Sequence, residues 1–196
     1  MGIFKKLFKS HSSKEDKIEP DITDDNLSLD QVFVNNFIKN KGKFLYCTSL
    51  TEVIDNVKEI LEENNWESLI CTDNDLQKLL KNNKLSFSEK LSNKHTFFST
   101  CEHLIAENGS ILFSSNQLSD YKLSELSENF IIYATTSQLV KTKGESLTGI
   151  KSRYQGNIPS NISPIKNYDL NLKKDDFMSY GNTNSKNLYL LLFEDL

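Results

Sequence analysis

Hydrophobic positions along this chain recur first at helical and then at strand spacing. Val32, Phe33, Phe37 and Ile38 fall on one side of a 3.6-residue repeat, and Gly42 ends that helix. Phe44–Cys47 is a short apolar run and reads as a buried strand. Ser49-Leu50-Thr51-Glu52 has the form of a capping box, with Ser49 as N-cap and Glu52 three residues on. The helix it opens places Leu50, Val53, Ile54, Val57, Ile60 and Leu61 on one face and stops at Asn64-Asn65. Ser68–Thr72 is the next strand. Asp73 caps a helix carrying Leu76, Leu79 and Leu80 that ends at Asn82-Asn83, and His95–Thr100 forms a third strand. Later strands span Ser110–Ser114, Phe130–Ala134 and Asn187–Phe193. The last is almost continuously apolar, as a strand buried on both faces should be. Strands alternating with amphipathic helices imply βαβ crossovers, so the pattern predicts an α/β fold around a mostly parallel sheet.

The first 26 residues differ from this pattern. Met1–Ser10 is short, basic and amphipathic, and the stretch after it is polar and acidic with little apolar area to offset ordering. Residues 1–26 are therefore expected to be a flexible tail and 27–196 a single domain. A helix of about ten residues is marginal in water, so no membrane contact by the tail is expected. Lys6 stands where a myristoylation signal needs Ser or Thr.

Composition removes several function classes. Asn is abundant at 21 residues against 7 Gly, so Asn is expected to hold many turns. Of 23 basic residues only Arg153 is Arg, and the sequence pI is about 5.5. Bidentate phosphate or guanine recognition leans on Arg, so no nucleic-acid partner is expected. No apolar run approaches the roughly 20 residues of a membrane span, and there is no secretory apolar region, so the expected location is cytoplasmic. Cys47, Cys71 and Cys101 are odd in number and widely spaced. Structural zinc and iron–sulfur sites need clustered ligands, so buried packing is the expected role of these thiols. His103 and Glu107 stand four apart with Cys101 beside them, but no second cluster supports a metal site and none is expected. The glycine-rich phosphate loops and the G-x-S-x-G elbow are missing, and no cofactor is expected.

The most informative stretch is Ser99-Thr100-Cys101-Glu102-His103-Leu104-Ile105-Ala106-Glu107-Asn108-Gly109-Ser110-Ile111-Leu112-Phe113. It reads as a strand end, a short apolar turn of helix, an acidic residue, a glycine turn and a new strand. Leu123–Ile132 and Thr136–Val140 follow. In this order the segments resemble the LUD domain family (lactate utilisation, LutC/YkgG type), whose hallmark is I-A-[E/D]-[T/N]-G-[T/S] followed by strand, L-P-x-x-[H/F]-I and strand. The resemblance implies a three-layer α/β/α sandwich of the NagB/RpiA/CoA-transferase-like superfamily. It also implies an accessory or regulatory component of L-lactate utilisation, in which separate iron–sulfur subunits oxidise lactate to pyruvate. The sequence departs from the family after Val140. Asn161–Leu170 stands where many members carry G-P-S-x-T-[A/S]-D-I, and Tyr180–Lys186 replaces G-x-H-G-P, which implies an altered ligand site.

Glu107-Asn108-Gly109 also looks like the E-N-G turn of class I CoA-transferases, where the Glu attacks an acyl-CoA. Such a nucleophile needs a desolvated turn and amide donors for the oxyanion. Glu107 is the candidate catalytic residue, and Glu107, Asn108, Gly109 and Ser110 are the candidate ligand contacts for a small organic acid or CoA ester. A plain turn with Gly109 at positive φ is the alternative. Gly144, Gly149 and Gly156, with Lys151 and Arg153, admit either a basic ligand loop or a helix with solvated cations. A third reading is an interaction module that keeps the fold without a ligand site.

Overall fold

The computed structural model describes residues 27–91, 93–170 and 184–195. The expectations for residues 1–26, and for Tyr180–Thr183 in the second departed motif, fall outside them. Helix α1 (Leu29–Lys39) buries Phe33, Val34 and Phe37, while Ile38 turns outward at 51% exposure. Strand β1 (Lys43–Cys47) leads into α2 (Leu50–Asn64), which starts and stops where the sequence places its caps. Ser49 Oγ accepts the Glu52 N–H at 3.2 Å, and Asn65 adopts φ 55°, the left-handed stop expected of Asn. The return half of the cap differs from expectation. Glu52 Oε2 accepts from the Thr48 N–H and hydroxyl at 2.6 and 3.0 Å, so the carboxylate reaches one residue beyond the N-cap.

Strand β2 (Leu69–Ile70), α3 (Asn74–Asn82), β3 (Phe87–Ser88) and β4 (Thr96–Ser99) follow. Asp73 caps α3 by accepting from the Asp75 and Leu76 N–H groups. The chain then forms β5 (His103–Ile105) and β6 (Ser110–Phe113), α4 (Ser115–Leu118), β7 (Asn129–Thr135), β8 (Leu139–Val140), α5 (Lys143–Tyr154), β9 (Ser163–Ile165) and β10 (Asn187–Phe193).

The central sheet has the order β1-β10-β7-β4-β2-β3, every neighbouring pair being parallel. Its residues alternate between two cores. Leu69, Phe98, Ile131 and Leu191 face α2 and α3. Ile70, Phe97, Phe130, Ile132, Leu190 and Leu192 face α1 and a second, smaller sheet. β10 lies between β1 and β7 with Leu188, Leu190, Leu191 and Leu192 buried, so its continuous apolar sequence serves both faces. The fold is α/β and layered about a parallel sheet, as the alternating pattern requires.

The second sheet has the order β8-β5-β6-β9 and is mostly antiparallel. Here the structure corrects the sequence reading. Residues 103–105 form a strand, not a turn of helix, and residues 110–113 leave the central sheet for this one. All seven residues are buried, and a short run that pairs on both edges and packs on both faces carries no period for the sequence to show. The hairpin fills the position of a crossover between β4 and β7, and α5 covers it through Ile150 against Ile105 and Leu112.

The tip of the hairpin is seated on α1. Asn36 Nδ2 donates to the Ala106 carbonyl at 2.9 Å and Asn40 Nδ2 to the Asn108 carbonyl at 2.7 Å. The Tyr168 hydroxyl donates to the Gly109 carbonyl at 2.8 Å. Gly109 has φ 64°, and a Cβ there would stand 2.4 Å from the Phe37 backbone nitrogen. Gly109→Ala is therefore expected to cost at least about 2 kcal/mol, left-handed strain and a backbone clash combined. Chemical denaturation checks this, and a loss below about 0.5 kcal/mol would show that the tip is not held against α1.

Candidate functional site

Open parallel sheets bind ligands beyond the carboxyl ends of their strands, where neighbouring connections leave on opposite faces. That divergence occurs here between β2 and β4. The chain leaving β2 enters α3 on one face, and the chain leaving β4 enters the β5–β6 hairpin on the other. Three residues past the end of β4 lies Glu102, 1% exposed.

An ionised carboxylate in such a place must find donors. Ser114 Oγ donates to Glu102 Oε1 at 2.6 Å, Asn116 Nδ2 at 2.8 Å and Gln117 Nε2 at 3.2 Å. These three belong to the N-terminal turn of α4, which Ser114 also caps by accepting the Asn116 N–H. The Tyr154 hydroxyl donates to Oε2 at 3.1 Å from the last turn of α5, and Arg153 Nη1 lies 3.7 Å from the same oxygen. Burial alone would raise the Glu102 pKa. The bonds from Ser114, Asn116, Gln117 and Tyr154 outweigh it and hold the carboxyl below its ordinary value. Burial and the Glu102 charge push the Tyr154 hydroxyl upward, so it remains a donor.

His103 is also buried, on the α5 side. Its Nδ1 lies 3.3 Å from the Gln138 carbonyl, which can only accept, so Nδ1 carries the proton and Nε2 is the basic nitrogen. Burial lowers its pKa, the Gln138 carbonyl opposing this in part, which keeps the ring neutral. Nε2 has no hydrogen-bond partner among the described residues. A Cβ on Gly149 would stand 3.0 Å from it, so α5 approaches the ring through a glycine. Among the described residues no group of three or more His, Cys, Asp or Glu could hold a metal ion.

The Glu107–Ser110 turn lies at the other end of β5 from Glu102. Glu107 is exposed, and its Oε1 accepts the Lys143 N–H in the first turn of α5 at 3.0 Å. Asn108 Oδ1 accepts the Ser110 N–H at 3.0 Å. Gly109 sits against α1, and Ser110 Oγ is buried without a hydrogen-bond partner among the described residues. The turn thus gathers all four residues, and Glu107, Asn108 and Gly109 also hold the hairpin in place. Gly144 and Gly149 both lie within α5, so of the two readings for that stretch the helix is the one found.

The model of the LUD domain matches residues 30–193. The chain belongs to the LUD domain family. A DUF162 family protein from Deinococcus radiodurans is similar in structure, with a TM-score of 0.59 over 86% of this chain and 99% of that one. At 13% identity that likeness concerns the fold. No curated protein matches the chain. The stretch Ser99–Phe113 includes both Glu102 and the 107–110 turn, but only the turn falls in the motif I-A-[E/D]-[T/N]-G-[T/S], and Glu102 drew no notice in the sequence. The available signal for Glu102 was a lone acidic residue in the stretch from Phe97 to Ala106. Its partners Ser114, Asn116 and Gln117 had no signal beyond the N-cap spacing.

Glu102 offers a direct test. With its folded pKa depressed, its stabilisation is fully present above the ordinary carboxylate range and is lost as pH falls through the folded value. Glu102→Gln should lower stability at pH 7 by about 2–3 kcal/mol, and this difference should shrink in acid. Denaturant unfolding at pH 7 and below pH 4 measures both. A difference that stays constant with pH would show that Glu102 is not charged in the fold.

Proposed function

We propose that this LUD domain is a LutC-type accessory or regulatory component of L-lactate utilisation, acting through contacts with separate iron–sulfur subunits that oxidise lactate to pyruvate. The observation that carries this reading is the family match across nearly the whole described fold. The cysteines are consistent with a redox centre on another chain. Cys47, Cys71 and Cys101 are all buried, and Cys101 packs in a different core from the other two. Burial raises each thiol, that of Cys71 to about 12, so they stay protonated and pack as small apolar groups. Free thiols also suit the reducing cytoplasm, where we place the protein. No helix among the described residues is long and apolar enough to cross a membrane.

A second reading, binding or transfer of a small organic acid or CoA ester at Glu107–Ser110, is favoured by the exposed Glu107 carboxylate and by a Ser110 hydroxyl in the same turn with no hydrogen-bond partner among the described residues. One experiment separates the two. Deleting the gene should slow growth on L-lactate and not on pyruvate, and the tagged chain should retain iron–sulfur subunits on purification. Unchanged growth and no co-purification would contradict the accessory role. Complementation with Glu107→Gln should restore growth if contacts carry the function; failure with a folded, abundant variant favours the second reading.

A further inference from the structure

The longer helices among the described residues differ at their carboxyl ends. α1, α3 and α5 each carry a basic residue in the last turn, where a cation complements the negative end of the helix dipole. α2, the longest of them, carries none. Its last two turns hold Glu59, Glu62 and Glu63 instead. The single lysine of α2, Lys58, pairs with Asp55 at 3.5 Å. Among the described residues no ion pair engages Glu59, Glu62 or Glu63.

Two of these carboxylates border a groove. It lies between α2 and the first residues of β1, the edge strand of the central sheet, and has a volume of about 140 Å³. Phe44, Leu45, Ile60 and Tyr189 supply its apolar lining. Glu59 and Glu63 are exposed and stand one helical turn apart. Lys43, the one cation at the groove, donates to Asn187 Oδ1 at 2.8 Å and to the Tyr189 hydroxyl at 3.1 Å. An engineered apolar cavity of about 150 Å³ takes a benzene molecule, so this groove has room for one phenyl ring.

The amino-terminal segment has the complementary make-up. Ahead of Glu15 the chain carries Lys5, Lys6, Lys9 and Lys14 and no acidic residue. Phe8 lies between Lys5 and Lys9, which stand four apart, the same spacing as Glu59 and Glu63. Leu27, the first described residue, is 18 positions after Lys9. Such a length of chain spans up to about 60 Å, against a radius of gyration of about 15 Å for a fold of this size. The groove is within reach of its own amino terminus.

We propose that residues 3–9 of this chain dock in the groove between α2 and β1, with the Phe8 ring on the apolar lining and Lys5 and Lys9 against Glu63 and Glu59. The lysines give the carboxyl end of α2 the cations it lacks, and the groove buries an aromatic ring that water would otherwise surround. This surface lies at the amino ends of β1 and β10, away from the Glu102 cluster, and the proposal does not rest on the lactate reading. Either can fail without the other.

A nitroxide attached at Ser10→Cys in the full chain tests the docking, since Cys47, Cys71 and Cys101 are all buried. Amide signals of Lys43, Glu59, Ile60 and Glu63 should lose most of their intensity, while Phe87 and Ser88 in β3, at the opposite edge of the sheet, keep theirs. Phe8→Ser should restore the groove signals. So should Glu59→Lys with Glu63→Lys, and adding Lys5→Glu and Lys9→Glu to that variant should bring the loss back. Both glutamates are exposed and lysine is a good helix former, and the same spectra show that each variant is folded. Groove signals that keep their intensity in the labelled chain, or a loss that the charge reversals leave unchanged, would overturn the proposal. A loss at the groove of unlabelled chains mixed with labelled ones would also overturn it, by placing the segment on a second copy. If the groove signals stay intact and the chain sediments with phosphatidylserine vesicles, the segment serves a membrane surface and the proposal falls.

Discussion

A negative charge enclosed at the exit of β4 dictates much of what surrounds it. A carboxylate as buried as Glu102 costs several kcal/mol unless donors are already in place. Those donors come from separated parts of the chain: three from the start of α4, and a hydroxyl and a guanidinium from the end of α5. Meeting them fixes the β5–β6 hairpin, α4 and α5 relative to one another. It also fixes the direction in which the chain leaves the central sheet. Cys101, one residue earlier, responds to the same setting: burial and then the Glu102 charge push its thiol upward, so it packs as an apolar group.

The hairpin anchored at that end is seated at the other by α1. Asn36 and Asn40 lie one helical turn apart and reach two carbonyls of the Ala106–Gly109 tip, while Tyr168 takes a third. A small antiparallel sheet thereby occupies a place usually filled by a crossover helix, with apolar residues packed against the parallel sheet and α5 closing its far side. For a LUD domain this is the arrangement that presents two polar ends of one short strand, Glu102 and Glu107, at separate positions. One is sunk among neutral donors beside a single Arg, and the other is exposed at the head of a helix.

How much of this could be read from residues depends on how much each element relies on its own sequence. α2 was legible because Ser49 and Asn65 mark its ends and Val53, Ile54, Val57 and Ile60 mark its face. β10 was legible because a strand buried on both faces has no polar residue to interrupt it. β3 and β8 were poorly legible, since two residues carry no period and the pairing that defines them comes from distant neighbours. β5 was misread for the same reason. α5 buries only Ser146 and Ile150, too few to separate a helix from a loop beforehand. The glycine turn was visible as a motif, but its contact with α1 was not, because Asn36 and Asn40 read only as polar positions on a helix. Glu102 was legible as an anomaly and not as a centre, since its five partners are brought together by folding.

Glu102 is ionised within the fold because neutral donors and one cation compensate it locally. Labelling the glutamate side-chain carboxyls with 13C and titrating the folded protein measures this at the atom concerned. The Glu102 resonance should keep its carboxylate shift through and below pH 4.5, the ordinary glutamate value, and move only in stronger acid. A Glu102 carboxyl that protonates at or above that value would contradict it.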